Sequence, residues 1–418
     1  PSAPSGTTSP DEEVEADDRV DEGDEAGDMA CSAENLAIIS SALTPYMGGP
    51  MWGSREIVGA LGEKLVASEQ ACDTREMAAA AGRVMKALAA CSLLSPDATG
   101  QLRRKYTQWI SRGFHAKPTA FSADSAAGIL HALSISLAGD GGVGSREEEQ
   151  RLCRDLVGIL SREQHWARLP LSASGKFLRA QARLFPGNSG GQEVNALVRK
   201  VARVTVEKLR YEDESVCDFW AAGNIIAGLA PSLIDVSGPQ ADARTPLALA
   251  DDVALFDEVI DAVAGIVLRQ SAGELASHGA RQLRHLAAAF SLALGGANGA
   301  GAEGQGALWA ANVAAACGRV CSAVVVAIEA AGEDALRRGA DTEGKENAQG
   351  MESALTLMYA SRVLTSVDAD GEACGELCDA LAQLRRTRID RLPLQGLLQL
   401  QRDPLPRAVA QQLLPHLD

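Results

Sequence analysis

Aromatic residues and β-strand patterns are scarce in this chain. Phe, Trp and Tyr make up 4% of the 418 residues, and no alternating run of Val, Ile, Thr or Tyr is flanked by hairpin-turn residues. These absences exclude a β-rich fold. Ala, Leu and Gly dominate instead, and helices that meet through small side chains can pack closely. The composition therefore predicts an all-α protein.

The chain also lacks the patterns that mark reaction centres. A Gly-rich segment at 139–145 precedes a predicted helix, but no strand comes before it and no Gly-Lys-Ser/Thr ends it. His278 and His285 lie on one predicted helix, and no acid or cysteine completes a catalytic or metal set with them, which favours capping or surface roles. Because no nucleophile, paired carboxylate or metal-ligand set assembles, the sequence predicts a protein that is not an enzyme and has no cofactor and no metal.

Long uncharged runs are missing as well. The longest, at 285–302, becomes Gly-rich toward its end. A transmembrane helix needs about 20 consecutive apolar residues. The sequence therefore predicts no membrane span.

The nine cysteines are odd in number and scattered through apolar stretches, which predicts reduced, buried thiols in a reducing compartment. Two pairs, Cys317/Cys321 and Cys374/Cys378, each have the i, i+4 spacing that places both sulfurs on one helix face. A disulfide or metal site is the alternative for these pairs. Zinc sites have shorter spacings with a histidine nearby, so core thiols are favoured.

The net charge of −16 is unevenly distributed. Residues 1–30 hold 11 of the 55 acidic residues and only one of the 39 basic residues, so they carry −10 and the rest carries −6. Such a segment cannot bury a core and is predicted to be an acidic tail, extended or ordered by a basic partner. An inert solubilising tail is the alternative. Because residues 31–418 are mildly acidic, we do not expect the protein to bind nucleic acid over its whole surface by charge, although local basic patches are possible.

A two-helix unit recurs about eight times along residues 31–418. Residues 125–133, 220–229 and 281–290 are each a small Ala-rich helix, followed by a loop and a more charged second helix. Repeats of this kind stack into an α-solenoid, an architecture that presents surface to partners. The predicted helix pairs are 32–46 with 54–68, 74–93 with 96–112, 122–138 with 145–163, 172–185 with 192–210, 215–233 with 251–270, 277–294 with 307–331, 347–364 with 372–389, and 394–401 with 407–417.

The first helices, which open with Ser and run to an Ala-rich centre, resemble a known class of repeats. The stretches 121–133 and 169–180 are similar to the degenerate helical-hairpin repeats of organellar RNA metabolism: the octotricopeptide and heptatricopeptide repeats and the repeat regions of RAP-domain proteins. The chain has no clear RAP domain at its C-terminus. The resemblance implies an organellar protein that binds or stabilises RNA, and some members are structural subunits of mitochondrial ribosomes.

The sequence and this resemblance together predict a non-catalytic structural subunit of a mitochondrial ribosome, located in the matrix, with ribosomal RNA and ribosomal proteins as partners. One alternative is an organellar RNA-binding factor for stability or processing that works outside the ribosome. Another is an accessory scaffold subunit of a respiratory or ATP-synthase complex, without RNA.

Three basic clusters on predicted second helices are the candidate RNA contacts. Phosphates would meet their Arg and Lys side chains, and Tyr106 or Trp109 would be available for base stacking. The alternative is a solvated helix face with intrahelical ion pairs. The candidates are Arg103, Arg104, Lys105, Tyr106, Trp109, Arg112 and Lys117 in the first cluster; Arg199, Lys200, Arg203, Lys208 and Arg210 in the second; and Arg385, Arg386, Arg388 and Arg391 in the third.

Overall fold

A computed structural model of the chain describes residue 60 and residues 72–92, 96–138, 147–162, 165–185, 191–211, 218–230, 250–297, 307–338, 343–367 and 371–386. Within these ranges the secondary structure is helical and there is no strand, so the predicted all-α class is confirmed. The acidic tail and the first and last predicted helix pairs lie outside the described residues.

Thirteen α-helices are found in the described ranges. Their bounds are Arg75–Ser92 (α1), Pro96–Ala116 (α2), Ala123–Ala138 (α3), Glu147–Ser161 (α4), Leu171–Leu184 (α5), Gly191–Tyr211 (α6), Phe219–Leu229 (α7), Ala250–Arg269 (α8), Ala272–Ser277 (α9), Ala280–Ala297 (α10), Ala307–Arg338 (α11), Glu343–Ser366 (α12) and Glu372–Arg386 (α13). Two short 3₁₀ turns, Pro118–Ala120 and His165–Arg168, lie between them.

Most helices coincide with the predicted ones, and the differences have local causes. Helix α2 runs to Ala116, four residues beyond the predicted end, because Ile110 and Phe114 continue its buried stripe. The predicted helix 277–294 corresponds to α10 and begins three residues later, at Ala280, because Gly279 has a φ of 85°. This left-handed conformation, which a glycine adopts easily, separates α10 from the short α9.

The helices pack in two rows, one from the first and one from the second member of each pair. Row A consists of α1, α3, α5, α7, α10 and α12, and each of these helices packs against the next one in the row. Row B consists of α2, α4, α6, α8, α11 and α13, again packed in succession. The short α9 lies against α11. Successive pairs are therefore neighbours in space, and one hydrophobic core runs between and along the rows.

Row A is held together by unusually close backbone contacts. A Cβ atom built on Gly82 of α1 would lie 2.7 Å from the carbonyl carbon of Gly128 in α3. A Cβ on Gly175 of α5 would lie 2.8 Å from the backbone oxygen of Ala221 in α7, and one on Gly228 of α7 would collide with the backbone at Leu178. Because real Cβ atoms do not approach backbone this closely, only glycine fits at these crossings.

Among the described residues, one helix, α11, has a segment that is long and apolar enough to cross a bilayer. The part from Ala310 to Ala331 has a mean hydropathy of 1.8 and is long enough to cross a bilayer, and 61% of it is buried in the protein. A core helix of a soluble protein meets the same criterion of length and composition. The expected absence of a membrane span therefore stays a prediction.

The crossing of α1 and α3 provides a matched test of this packing. Gly82→Ala should lower the free energy of unfolding by about 1–3 kcal/mol, since the added methyl group overpacks the contact. Gly128→Ala lies at the same crossing, but its Cβ would meet no atom within 4 Å, so it should be neutral or stabilising by up to about 1 kcal/mol. Urea denaturation monitored by circular dichroism measures both values. Equal effects of the two substitutions would contradict the close packing.

Candidate functional site

The aromatic residues of the first predicted cluster do not face solvent. Tyr106 and Trp109 of α2 are both fully buried, with ring centroids 5.2 Å apart. The Tyr106 hydroxyl group donates a hydrogen bond to the backbone oxygen of Ala81, at 3.4 Å. The prediction that these rings are available for base stacking is therefore wrong. Their spacing of three residues places them on the apolar stripe of α2, where burial of large rings stabilises the core.

The cations of this first cluster are on the surface. Arg104, Lys105, Arg112 and Lys117 are exposed, while the side chain of Arg103 lies outside the described residues. Acidic groups of α4 are close to the same helix: His115 Nε2 lies 3.8 Å from a carboxylate oxygen of Asp155. The surface of row B is therefore of mixed charge here.

Several cations of the second cluster are engaged within the protein. Lys208 Nζ donates a hydrogen bond of 2.7 Å to the backbone oxygen of Leu169, and Arg210 Nη1 lies 3.5 Å from Glu258 Oε2. Lys200 Nζ is 5.7 Å from the centre of the Trp166 ring, within the range of a cation–π contact. Arg199 is half-buried and Arg203 is exposed. These contacts join α6 to its neighbours, a structural role that competes with RNA binding.

The third cluster is only partly described. Arg386 is exposed at the end of α13, whereas the Arg385 side chain, Arg388 and Arg391 lie outside the described residues. The described members of the three predicted clusters therefore lie on or next to helices of row B, on α2, α6 and α13, which are not consecutive in that row.

The two cysteine pairs meet between α11 and α13. Cys317, Cys321, Cys374 and Cys378 are all buried and free, as predicted. Burial, followed by the nearby charges of Cys317 and Glu376, raises the pKa of the Cys321 thiol well above its ordinary value. A high pKa leaves little of the reactive thiolate. No group of three or more His, Cys, Asp or Glu residues in the described ranges is arranged to hold a metal ion.

A different set of cations lies together on row A, and the sequence clusters did not include it. These residues define the cationic face, and they come from four helices of the row. They are Lys86 of α1, His131 of α3, Lys176, Arg179 and Arg183 of α5, and Arg281, Arg284 and His285 of α10.

Helix periodicity explains how α5 contributes three of these residues. Lys176, Arg179 and Arg183 follow each other at three- and four-residue steps, so they share one side of the helix. The opposite side carries Phe177 and Leu178, which are buried in the core. Apolar burial therefore orients α5 and, as a consequence, aims its cations away from row B.

The cations of the cationic face influence one another across row A. Helices α3, α5 and α7 lie between α1 and α10 in the row. Nevertheless the positive charge of Arg281 on α10 is one of the charges that lower the pKa of Lys86 on α1. Charges interact weakly beyond a screening length of about 10 Å. The cationic face is therefore one connected group of charges.

The cationic face perturbs the titration of its own cations. Partial desolvation lowers the pKa of Lys86, although its side chain still reaches solvent, and the charges of Arg281, Lys176 and Arg183 lower it further. Burial also lowers the pKa of Arg179 to about 10. Three contacts compensate in part: Asp124 lies 3.9 Å from Lys176, Glu352 lies 2.8 Å from Arg284, and Arg179 Nη1 donates a hydrogen bond of 3.1 Å to the backbone oxygen of Ala227.

Two histidines are embedded in this field. Burial, followed by the charges of neighbouring cations, lowers the pKa of His131 to about 3 and that of His285 to about 4. His131 Nδ1 and His285 Nε2 are buried and have no hydrogen-bond partner among the described residues. The His285 ring packs directly against Gly223 of α7, where an added Cβ would lie 2.8 Å from Nε2. Its unpaired nitrogen is therefore a cost of this close helix packing.

Trp220 of α7 contacts two members of the cationic face. The Asp218 side chain caps α7 and accepts a hydrogen bond of 3.0 Å from the backbone nitrogen of Ala221, which fixes the first turn of the helix. The indole ring lies 4.3 Å from the His285 ring and 5.5 Å from the Arg281 guanidinium carbon. Trp220 is therefore already in contact with an imidazole and a guanidinium group.

Chemically, this arrangement attracts a polyanion. It combines several fixed positive charges with a low density of acids, in a protein whose net charge is −16. One part of the cationic face is visible in the sequence, namely the three cations of α5 at helical spacing. The other members stand on helices distant in sequence, and only the packing of row A brings them together. Comparisons with protein families, curated proteins and solved structures find no match to this chain.

Acidification should destabilise the protein through these histidines. In the unfolded chain a histidine has a pKa of about 6.5, whereas in the fold His285 titrates at about 4. The unfolded state therefore binds more protons as the pH falls from about 6.5 toward 4, and stability declines in that window and not above it.

The double variant His131→Gln/His285→Gln isolates this effect. Between pH 7 and pH 5 it should lose less unfolding free energy than the unmodified protein, as measured by urea denaturation at both values. His115→Gln, which changes an exposed histidine of α2, serves as the control and should retain the full pH dependence. The assignment fails if all three proteins respond alike to pH.

Proposed function

We propose that this chain is a non-catalytic α-solenoid of about eight helical hairpins that serves as a structural subunit of a ribonucleoprotein, namely a mitochondrial ribosome in the matrix. The observation that carries the proposal is the cationic face, a group of Arg, Lys and His residues from four helices of row A in an otherwise acidic protein. RNA is the abundant polyanion that such a surface would contact, and ribosomal proteins would pack on the other faces.

The row architecture supports the scaffold role. Each helix pair contacts mainly its neighbours, so the long sides of both rows stay available to partners. The titratable groups that do converge are cations and neutral histidines, without a nucleophile or a pair of carboxylates among them. A surface of this kind can bind and position a partner molecule. None of these groups is a nucleophile that could attack a bond.

Electrostatics supports RNA as the ligand. Lys86 and Arg183 are exposed, so their charges can reach phosphates, and their crowding would be relieved by an anion between them. Binding of this type releases counterions and is strongly salt-dependent. The exposed Arg104, Lys105, Arg112 and Lys117 of row B would add weaker, peripheral contacts.

An RNA-binding factor that works outside the ribosome would use the same cationic face. The two roles differ in the size of the particle that contains the protein. A ribosomal subunit sediments with the heavy particle, whereas a free factor sediments with individual transcripts. The acidic residues 11–28 would, in the ribosomal case, contact a basic ribosomal protein.

Sedimentation of tagged protein from isolated mitochondria tests this function. We expect the protein in heavy sucrose-gradient fractions and its release to light fractions after RNase treatment. A respiratory-complex subunit would instead follow detergent-extracted membrane complexes and ignore RNase. Sedimentation that is insensitive to RNase would contradict the proposed function.

Two matched charge reversals test which surface is responsible. Lys86→Glu/Lys176→Glu/Arg183→Glu alters the cationic face, and Arg104→Glu/Lys105→Glu/Arg112→Glu alters row B by the same number of charges. The first variant should lose most of its heavy-fraction population, and the second should retain most of it. Circular dichroism verifies that both are folded. The reverse pattern would place the RNA contact on row B.

A further inference from the structure

We propose that a cleft at one edge of the two rows, the edge cleft, binds a free mononucleotide. The cleft has a volume of about 520 Å³ and lies where α3 and α5 begin, lined by both of the 3₁₀ turns that precede these helices. Binding sites for small molecules have volumes of about 300–1,000 Å³. The described residues that line the edge cleft do not include any member of the cationic face, so this site goes beyond the proposed function.

The floor of the edge cleft is apolar and belongs to the hydrophobic core. Phe121, Ile159 and Leu169 line the cleft, and each is at most 4% exposed. The Phe121 ring packs edge-to-face on Phe114 of α2, with ring centroids 5.4 Å apart. Core packing therefore fixes the floor before a ligand binds, which lowers the entropic cost of binding. A rigid apolar floor of this kind accommodates a planar base.

Backbone hydrogen bonds hold the second 3₁₀ turn against the end of α4. His165 Nδ1 lies 3.2 Å from the backbone oxygen of Ile159. The His165 backbone nitrogen donates a hydrogen bond of 2.9 Å to the backbone oxygen of Arg162, and the Arg162 nitrogen donates one of 3.2 Å to Ile159. The turn that ends at Arg168 is therefore anchored beside Arg162, and both arginines line the same cleft.

Three arginines from different elements surround the edge cleft. Arg75 begins α1, Arg162 follows α4 and Arg168 ends the second 3₁₀ turn, and all three are exposed. Within the described part of the chain, no ion pair or side-chain hydrogen bond engages these guanidinium groups. The described lining includes one acid, Asp124. The cleft therefore has an excess of fixed positive charge, and arginine is suited to bidentate contacts with phosphate oxygens.

The Asp124 carboxylate favours a mononucleotide over a simple anion. Asp124 is exposed, and one of its carboxylate oxygens lies 3.9 Å from Lys176 Nζ. A carboxylate accepts hydrogen bonds from hydroxyl groups, which inorganic phosphate does not offer in the same number, and dinucleotide-binding folds use a carboxylate for the ribose in this way. The lining thus matches the three parts of a mononucleotide, with arginines for the phosphate, Asp124 for the ribose and the apolar floor for the base.

Isothermal titration calorimetry of the full chain with AMP tests this site, with adenosine and inorganic phosphate as partial ligands. AMP should bind at least about tenfold more tightly than either one, because a single charge-assisted hydrogen bond accounts for such a factor. Equal binding of inorganic phosphate would leave a simple anion site, and equal binding of adenosine would leave an apolar one. Either result, or no binding of AMP at millimolar concentration, would overturn the proposal.

Matched variants locate the contact. Arg162→Gln/Arg168→Gln should weaken AMP binding at least about tenfold. Arg151→Gln/Arg154→Gln removes the same charge from exposed positions of α4 outside the cleft and should change binding less than about twofold, since distant charges are screened. Thr119→Trp, at an exposed position of the first 3₁₀ turn, should fill the cleft and abolish binding without altering charge. Equal weakening by both arginine variants, or unchanged binding by Thr119→Trp, would contradict the assignment; circular dichroism verifies that all three are folded.

Two competitors identify the source of the phosphate. A short 5′-phosphorylated RNA and a phosphoserine peptide carry the same group on a longer chain, and both should bind more weakly than AMP, because further phosphates or backbone would lie beside Asp124 without a partner for it. Tighter binding of either one would assign the cleft to that macromolecule and overturn the free mononucleotide. If AMP does not bind while RNase still releases the protein from heavy particles, the proposed function stands and this inference fails.

Discussion

Close contact between glycine and alanine backbones along row A is the constraint on which the other features depend. Where Gly82 meets Gly128, and Gly228 meets the backbone at Leu178, no side chain separates neighbouring helices. Such contacts fix how near each helix lies to the next. The cations that these helices carry are therefore held close enough to lower one another's pKa. A larger residue at these crossings would push the helices apart and separate the charges.

The fold class and most helix positions could be predicted from the sequence because they depend on local information. Ala-rich composition, apolar spacing and Gly or Pro breaks describe a helix regardless of its neighbours. Helix α3, for example, begins one residue from the predicted position. The buried thiols of Cys317 and Cys374 could be predicted for the same reason, since an apolar helical setting implies burial.

The candidate site could not be predicted in the same way, because it is a property of packing. Runs such as Arg103-Arg104-Lys105 are conspicuous in sequence, but consecutive residues point to different sides of a helix. The prediction that Tyr106 and Trp109 are available for base stacking is wrong because both lie on the apolar stripe of α2, which passes through the same segment. Lys86 and Arg281, by contrast, are separated by nearly 200 residues, and only the packing of row A lets the charge of one affect the pKa of the other. Three-dimensional proximity, not density along the chain, defines this cationic face.

The crowding of like charges has a consequence for the stability of the fold. Cations that lower one another's pKa destabilise the folded state, and two imidazole nitrogens remain without hydrogen-bond partners in the described part of the chain. Asp124, Glu352 and the backbone oxygen of Ala227 offset part of this repulsion. The hydrophobic core between the rows must supply the remaining stabilisation, because the helices that carry the cations are the same ones that it holds together.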